Sequence, residues 1–162
     1  MHIYFLRDPM QLDTIDKKIL RVVQKNSNVT HENLASIVGL SASACSRRLT
    51  NLRKTGVIKK EVAVLNSKFI GPRVSMLVTV TLEREQLNVI NAFKKSCEDT
   101  EEITQCYYVT GKTDFILLIS MPTMEDYDKF VQKFLFENRN VKRFETHVVM
   151  DRVKIQFDVP IT

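Results

Sequence analysis

Tryptophan is absent from this 162-residue chain, and cysteine and glycine are scarce, at three and four. The cysteines, Cys45, Cys97 and Cys106, form an odd set with no Cys-x-x-Cys spacing. That pattern offers neither a disulfide framework nor a zinc site. Also missing is any apolar run near the about 20 residues that a membrane-spanning helix needs. The first residues lack the basic, then apolar, then small-residue order of a secretory signal, and Ile3-Tyr4-Phe5-Leu6 is too short for one. A reducing compartment, a cytoplasmic location and no membrane partner are therefore expected. No Cys/His pair, metal-ligand spacing, nucleotide-binding loop or nucleophile elbow is present, so no cofactor, no metal and no enzymatic activity are expected.

Hydrophobic residues at 44% and charged residues at 27% are those of a folded globular chain, long enough for one ordinary domain or two small ones. The net charge of +5 is unevenly spread. Residues 1–60 carry 11 Lys+Arg against 4 Asp+Glu, a balance of +7, whereas residues 61–162 carry 13 against 15, a balance of −2. This asymmetry points to two domains, the first with a polyanionic partner.

The periodicity changes along the chain in the same sense. Leu12, Ile15, Ile19, Val22 and Val23 recur at helical spacing, with Asp13 and Asp16 in the opening turn, where the helix dipole favours acids. Asn26-Ser27-Asn28 breaks that helix. Thr30 is placed to cap a short second one bearing Leu34, Ile37 and Val38, which Gly39 ends, and Ser41 is placed to cap a third, which Gly56 ends. Residues 57–65 read as an extended segment, followed by a linker containing Asn66, Ser67, Gly71 and Pro72.

Beyond the linker, Val74, Met76, Val78, Val80 and Leu82 alternate with mostly polar neighbours as a strand does. A helix bearing Leu87, Ile90 and Phe93 follows, then a hairpin of residues 103–110 and 115–121 around Gly111-Lys112-Thr113. Next come a helix lined by Tyr127, Phe130, Val131, Phe134 and Leu135 and a last strand over residues 144–150. The order is βαββαβ, the split ferredoxin-like arrangement. Val153, Ile155 and Phe157 alternate once more, so the tail is expected to pair with a sheet edge, in this subunit or a neighbour.

The fold class is thus α+β: a helix-turn-helix (winged-helix-like) unit over residues 12–60, strand and linker over 61–73, a ferredoxin-like domain over 74–152 and a tail over 153–162. Residues 1–11 stand before them as an extension. Either Met10 is the natural start, or the segment adds a strand or arm to an assembly.

At about 100° per residue, the third helix gathers Ala42, Cys45, Leu49 and Leu52 on one side, its core face. The opposite side carries Ser43, Arg47, Thr50 and Lys54, with Asn51 beside them and Arg48 and Arg53 on the flanks. No acid occurs between Glu32 and Glu61. A merely solvated helix face mixes both signs in i, i+4 pairs, whereas this one matches a helix that enters a DNA groove. The small residues Ser41, Ser43 and Ala44 let its backbone approach base edges. Ser43 and Ser46 can bond bases or phosphates, and Arg47 can reach guanine with two hydrogen bonds. Arg48, Arg53 and Lys54 suit phosphates.

Four stretches in order, LDTIDKKIL (12–20), LASIVGLSASACSRRLTNLRKTGVI (34–58), VTGKTDFILL (109–118) and THVVMDRVK (146–154), resemble the leucine-responsive and asparagine-responsive (Lrp/AsnC) transcription regulators. The resemblance implies a DNA-reading helix containing Ser43, Ala44, Ser46, Arg47 and Arg48, and a carboxy-terminal domain that dimerises and binds small effectors, usually amino acids. It further implies homodimers that assemble into octamers. It places Gly111, Lys112, Thr113 and Asp114 on the effector loop and Thr146 on the neighbouring strand. Tyr107 and Tyr108 alternate in direction on one strand, one toward the packed side and the other toward solvent or a partner, which makes Tyr108 a further pocket candidate. Two departures stand out: Ala42 and Ala44 where the family often has prolines, and Lys112 where its loop often has an acid. A second reading makes residues 111–114 a plain hairpin turn with positive φ at Gly111.

Two other functions compete. One is a small-molecule sensor whose basic domain binds RNA or protein, and the other is a ferredoxin-like enzyme. His147 is expected to be packed, the Tyr127, Phe130 and Phe134 stripe to be core, and Cys45 to act as a small hydrophobe. No basic surroundings can be argued for either Cys45 or Cys106.

Overall fold

The computed structural model describes residues 11–66, 69–84 and 86–162. The amino-terminal arm and Ser67 of the linker lie outside them. The chain divides into two compact units: one reaches Val64 and takes in Lys154–Thr162, and the other is Leu65–Val153. Among the described residues, no helix is long and apolar enough to cross a membrane.

The first unit is built of α1 (Thr14–Val23), α2 (His31–Val38) and α3 (Ala42–Lys54). Each begins on a residue whose side-chain oxygen accepts from a free backbone N–H: Asp13 from Asp16, Thr30 from Asn33, and Ser41 from Ala44. Gly39 takes φ +77 at the end of α2, and both its N–H and that of Leu40 donate to the Ala35 carbonyl. A side chain there would strain the backbone. Ile19, Leu34, Val38, Cys45, Leu49 and Leu52 form a closed core of their own.

Residues 57–66 form no strand. Nor does the tail pair with a sheet edge in this chain, as its alternation led us to expect. Arg21 donates to the Ile161 carbonyl from Nε and Nη2, at 3.2 and 2.8 Å. Gln24 exchanges two 3.1 Å bonds with the backbone of Val159. Ile161 packs on the helical core, while Val153, Ile155 and Phe157 stay exposed. Arg21 and Gln24, at the end of α1, thus satisfy backbone groups of Val159 and Ile161 that a ladder would otherwise take up.

In the second unit, β1 (Val74–Leu82), β2 (Ile103–Tyr108), β3 (Phe115–Met121) and β4 (Val141–Val148) form one antiparallel sheet in the order β2-β3-β1-β4. The last strand starts earlier than its own alternation indicates, because Val141 pairs with Leu82 at the far end of β1. Helices α4 (Leu87–Glu98) and α5 (Met124–Val131) cover one face, burying Met76, Val78, Val80, Phe115, Leu117 and Ile119. A π-turn over Gln132–Phe136 extends α5 and buries Leu135. The other face carries Leu77, Thr79, Ile116, Leu118 and Tyr107 in register. His147 stands on this open face opposite Leu77 and is exposed, not packed, because strand parity turns it away from the helices.

Candidate functional site

Burial sorts the side chains of α3 as its wheel predicts. Cys45, Leu49 and Leu52 are at most 3% exposed, which anchors the helix. Ser43, Arg47, Thr50, Asn51 and Lys54 are exposed, and Ala44 and Ser46 are half-buried. Positions 43, 47, 50 and 54 share one stripe, spaced by four, three and four residues. At the start of α3, Ser41 Oγ caps the helix at 3.2 Å from the Ala44 nitrogen and lies 3.1 Å from Ser43 Oγ. The free N–H groups of this first turn, with no acid near them in sequence, face where an anion is favoured.

The flanking arginines are not free. Arg48 Nη1 pairs with Asp13 Oδ2 at 2.6 Å and with Asp16 Oδ1 at 2.8 Å, tying α3 to the start of α1. Arg53 meets Glu61 through two nitrogens at 3.2 and 2.9 Å. The acid-free run of the sequence therefore gains carboxylates from its neighbours, but only on its flanks. Among the described residues no ion pair involves Arg47 or Lys54. Arg48 is thus engaged by the domain's own carboxylates, which orient α3 against α1.

The pairing leaves its mark on both groups. Bonds to Asp16 and Asp13 hold the guanidinium of Arg48 above its ordinary value. The carboxyl of Asp13 is lowered first by the Asp16 backbone N–H and then by Arg48. Asp13→Asn keeps the cap but removes the charge, so at neutral pH it is expected to lower the thermal midpoint modestly, as exposed pairs do. The Asp13 carboxyl titrates lower folded than unfolded. Its contribution is therefore complete above the ordinary value of 3.8 and disappears as pH falls through the lowered folded value. Thermal melts of the two proteins from pH 7 downward should converge in that acid range, and a constant gap would show that the charge plays no part.

Residues 111–114 are stapled to β1. Thr113 Oγ1 donates to the Val80 carbonyl at 2.7 Å, and the Asp114 N–H to the same carbonyl at 2.9 Å. Asp114 Oδ2 accepts from the Leu82 N–H at 2.7 Å. Gly111 takes φ +130, a conformation that disfavours side chains although a Cβ would meet nothing within 4 Å. Thr113 and Asp114 thus shape the turn, while Lys112 is exposed.

Thr146 is not brought to this loop. It stands opposite Val78, and its hydroxyl lies 2.5 Å from that of Tyr127. Burial raises the Tyr127 phenol above its ordinary value, against the opposing effect of that bond. Tyr108 packs on Phe115 at 5.1 Å between ring centroids, and the Lys94 ammonium lies 4.5 Å from its ring. A separate cleft of about 900 Å³ opens beside residues 99–102 and α5, with Arg73, Phe130 and Lys133 in its walls. The sequence alone gave no signal for it. Among the described residues, no cluster of His, Cys, Asp and Glu could hold a metal ion.

A helix-turn-helix and a ferredoxin-like unit on one chain narrow the comparison with known proteins. Residues 12–59 match the family model of the winged helix-turn-helix DNA-binding domain, and residues 75–159 that of the Lrp/AsnC ligand binding domain. An uncharacterized HTH-type transcriptional regulator of Sinorhizobium fredii is 48% identical over 152 residues, covering 94% of this chain and 90% of that protein. The transcriptional regulator AzlB of Bacillus subtilis is 33% identical, over 94% and 97%. A transcriptional regulator of Neisseria meningitidis, solved as a complex with L-Met, superposes with a TM-score of 0.84 at 28% identity, over 92% and 96%. Two domain models in the order the fold displays them, joined by relatives alike over nearly their whole length, make this chain a DNA-binding transcriptional regulator of the Lrp/AsnC family.

Proposed function

We propose that α3 reads duplex DNA through its exposed stripe, with Ser43, Arg47, Thr50 and Asn51 toward base edges and Lys54 toward phosphate. Ser41, Ala44 and Ser46 permit the close approach of the helix start, and Arg48 and Arg53 hold its flanks. One observation carries this reading: Arg47 and Lys54 stand exposed on a stripe without carboxylates, while the neighbouring arginines already have partners. A groove of alternating phosphates and acceptor-rich base edges complements that stripe, whereas a protein partner would more often require both signs. The test is a gel shift on the DNA upstream of the chain's own coding sequence over a salt series. The logarithm of affinity should fall linearly with that of salt by about 0.9 per phosphate contacted. Equal binding of RNA or single strands would defeat this reading.

The effector we propose is an amino acid, held near residues 111–114 with Tyr108. The complex of the Neisseria regulator with L-Met supports this class. The ligand would contact the exposed Lys112 rather than Asp114, one of whose carboxylate oxygens is already bonded to Leu82. Thr146 would take part only by exchanging its bond to Tyr127. The cation of Lys112 favours an effector carboxylate and repels a cationic side chain. A thermal-shift screen should therefore show stabilisation by neutral amino acids and none by lysine or arginine, and strong stabilisation by lysine would refute the assignment. The open sheet face of Leu77, Ile116, Leu118 and Tyr107 supports a homodimer, further assembled into an octamer, which light scattering tests.

A further inference from the structure

The sequence displays its three cysteines as unrelated, at positions 45, 97 and 106 with no motif joining them. The fold relates two of them. Strand β2 pairs with β3 so that Cys106 stands opposite Leu117 and Tyr108 opposite Phe115, both partners fully buried beneath the helices. Cys106 and Tyr108 therefore project toward the helix side of the sheet. On that side lies α4, where Lys94 and Cys97 occupy one face at i and i+3. The Lys94 ammonium sits 4.5 Å from the Tyr108 ring, which fixes the register of helix against strand. One step further along, Cys97 on the buried face of α4 comes beside Cys106 on β2.

We infer that Cys97 and Cys106 form a reversible thiol–disulfide pair, oxidised by hydrogen peroxide and reduced by a dithiol. The two thiols have complementary surroundings. Cys106 lies on the sheet's edge strand and is exposed, whereas Cys97 is 3% exposed within the core. Accepting a hydrogen bond from Cys97 lowers the Cys106 thiol, assisted by the Lys94 charge against burial and Glu98. Donating that bond, burial and the charges of Cys106 and Glu98 push the Cys97 thiol up. An accessible thiol of lowered pKa beside a protected partner thiol is the arrangement of a sensing and a resolving cysteine.

The chemistry balances in two steps. The Cys106 thiolate attacks one peroxide oxygen; the O–O bond breaks, an S–O bond forms, and the departing hydroxide takes up a proton to become water. The Cys97 sulfur then attacks the Cys106 sulfur. The S–S bond forms, the S–O bond breaks, and the Cys97 proton leaves with the hydroxide as a second water. The product closes a ring across residues 97–106 and clips the end of α4 to β2. It thereby fastens both ends of residues 99–102, which form one wall of the cleft beside α5.

The test treats the reduced full-length protein with a small excess of hydrogen peroxide, quenches the peroxide, unfolds the protein in guanidinium, blocks remaining thiols with a maleimide and maps the digest by mass spectrometry. The expected result is loss of two of the three alkylatable thiols, with a Cys97–Cys106 cross-linked peptide and Cys45 still blocked by maleimide, reversed by dithiothreitol. Cys97→Ala, shown by circular dichroism to be folded, should leave Cys106 as a sulfenic acid captured by dimedone. Three results on the wild-type protein overturn the inference: Cys106 unoxidised, Cys106 oxidised without a link to Cys97, or a link formed only between separate chains.

Discussion

Arg47→Ala is expected to weaken binding to the chain's own operator by roughly 5- to 150-fold while leaving the thermal midpoint almost unchanged. The magnitude is that of a two-pronged arginine–guanine contact, about 1–3 kcal/mol. The unchanged stability follows from the environment of the side chain, which is exposed and makes no ion pair among the described residues. Base reading also predicts where the loss falls. Binding to non-specific duplex should be nearly preserved, since most of that affinity comes from phosphate contacts. Lys54→Ala should behave in the opposite way, weakening specific and non-specific binding alike and reducing the salt slope by about 1. A competition gel shift with both variants on operator and scrambled duplexes separates the two patterns. Equal loss on both duplexes for Arg47→Ala would make it another phosphate contact and leave base reading to Ser43, Thr50 and Asn51.

What the sequence displayed well was local. Thr30, Gly39 and Ser41 act within three or four residues of their own position, so capping chemistry identified the helix ends before any tertiary contact was known. The period-two pattern of residues 74–82 and the tight hairpin between β2 and β3 were legible for the same reason. The face of α3 was legible because the buried side of a helix and its opposite side are both set by one repeat.

Contacts between distant residues were not legible. The bonds of Arg48 to Asp13 and Asp16, more than thirty positions earlier, leave no sign in the sequence of its own helix. Thr113 and Asp114 look like ligand groups in the loop, yet their bonds run to β1, more than thirty residues away. The alternation of Val153, Ile155 and Phe157 forms no strand here, and the end of the tail is instead held at Val159 and Ile161 by Arg21 and Gln24. His147 illustrates a subtler loss. Its apolar neighbours made it look packed, but parity along β4 assigns it to the open face, and parity is known only once the register with β1 is. The cysteine pair needed both a helix face and a strand register, and neither is written in the spacing of the residues.

Leu49→Ala should give a large loss of stability, and the loss should be confined to one unit. Leu49 is 3% exposed at the centre of the helical core, among Ile19, Leu34, Val38, Cys45 and Leu52. Truncating a buried leucine costs about 2–5 kcal/mol, the upper part of the range applying where neighbours cannot collapse into the space. Here they are held back by three helices whose ends are already fixed by caps and, through Arg48, by ion pairs. A unit of this size buries little surface and stands only a few kcal/mol above unfolding, so the variant should lose its fold at physiological temperature and its DNA binding with it. The core of the sheet, around Phe93, Phe115 and Leu117, is a separate cluster that shares no residue with the first. Contributions from such independent sites add without coupling. Calorimetry of Leu49→Ala should therefore retain the transition of the ferredoxin-like unit and lose that of the helical one. Phe115→Ala should do the reverse, at about 3–5 kcal/mol. A Leu49→Ala protein that melts in a single transition, shifted as a whole, would mean that the two cores fold as one cooperative body, and the regulator's reading head would then have no stability of its own.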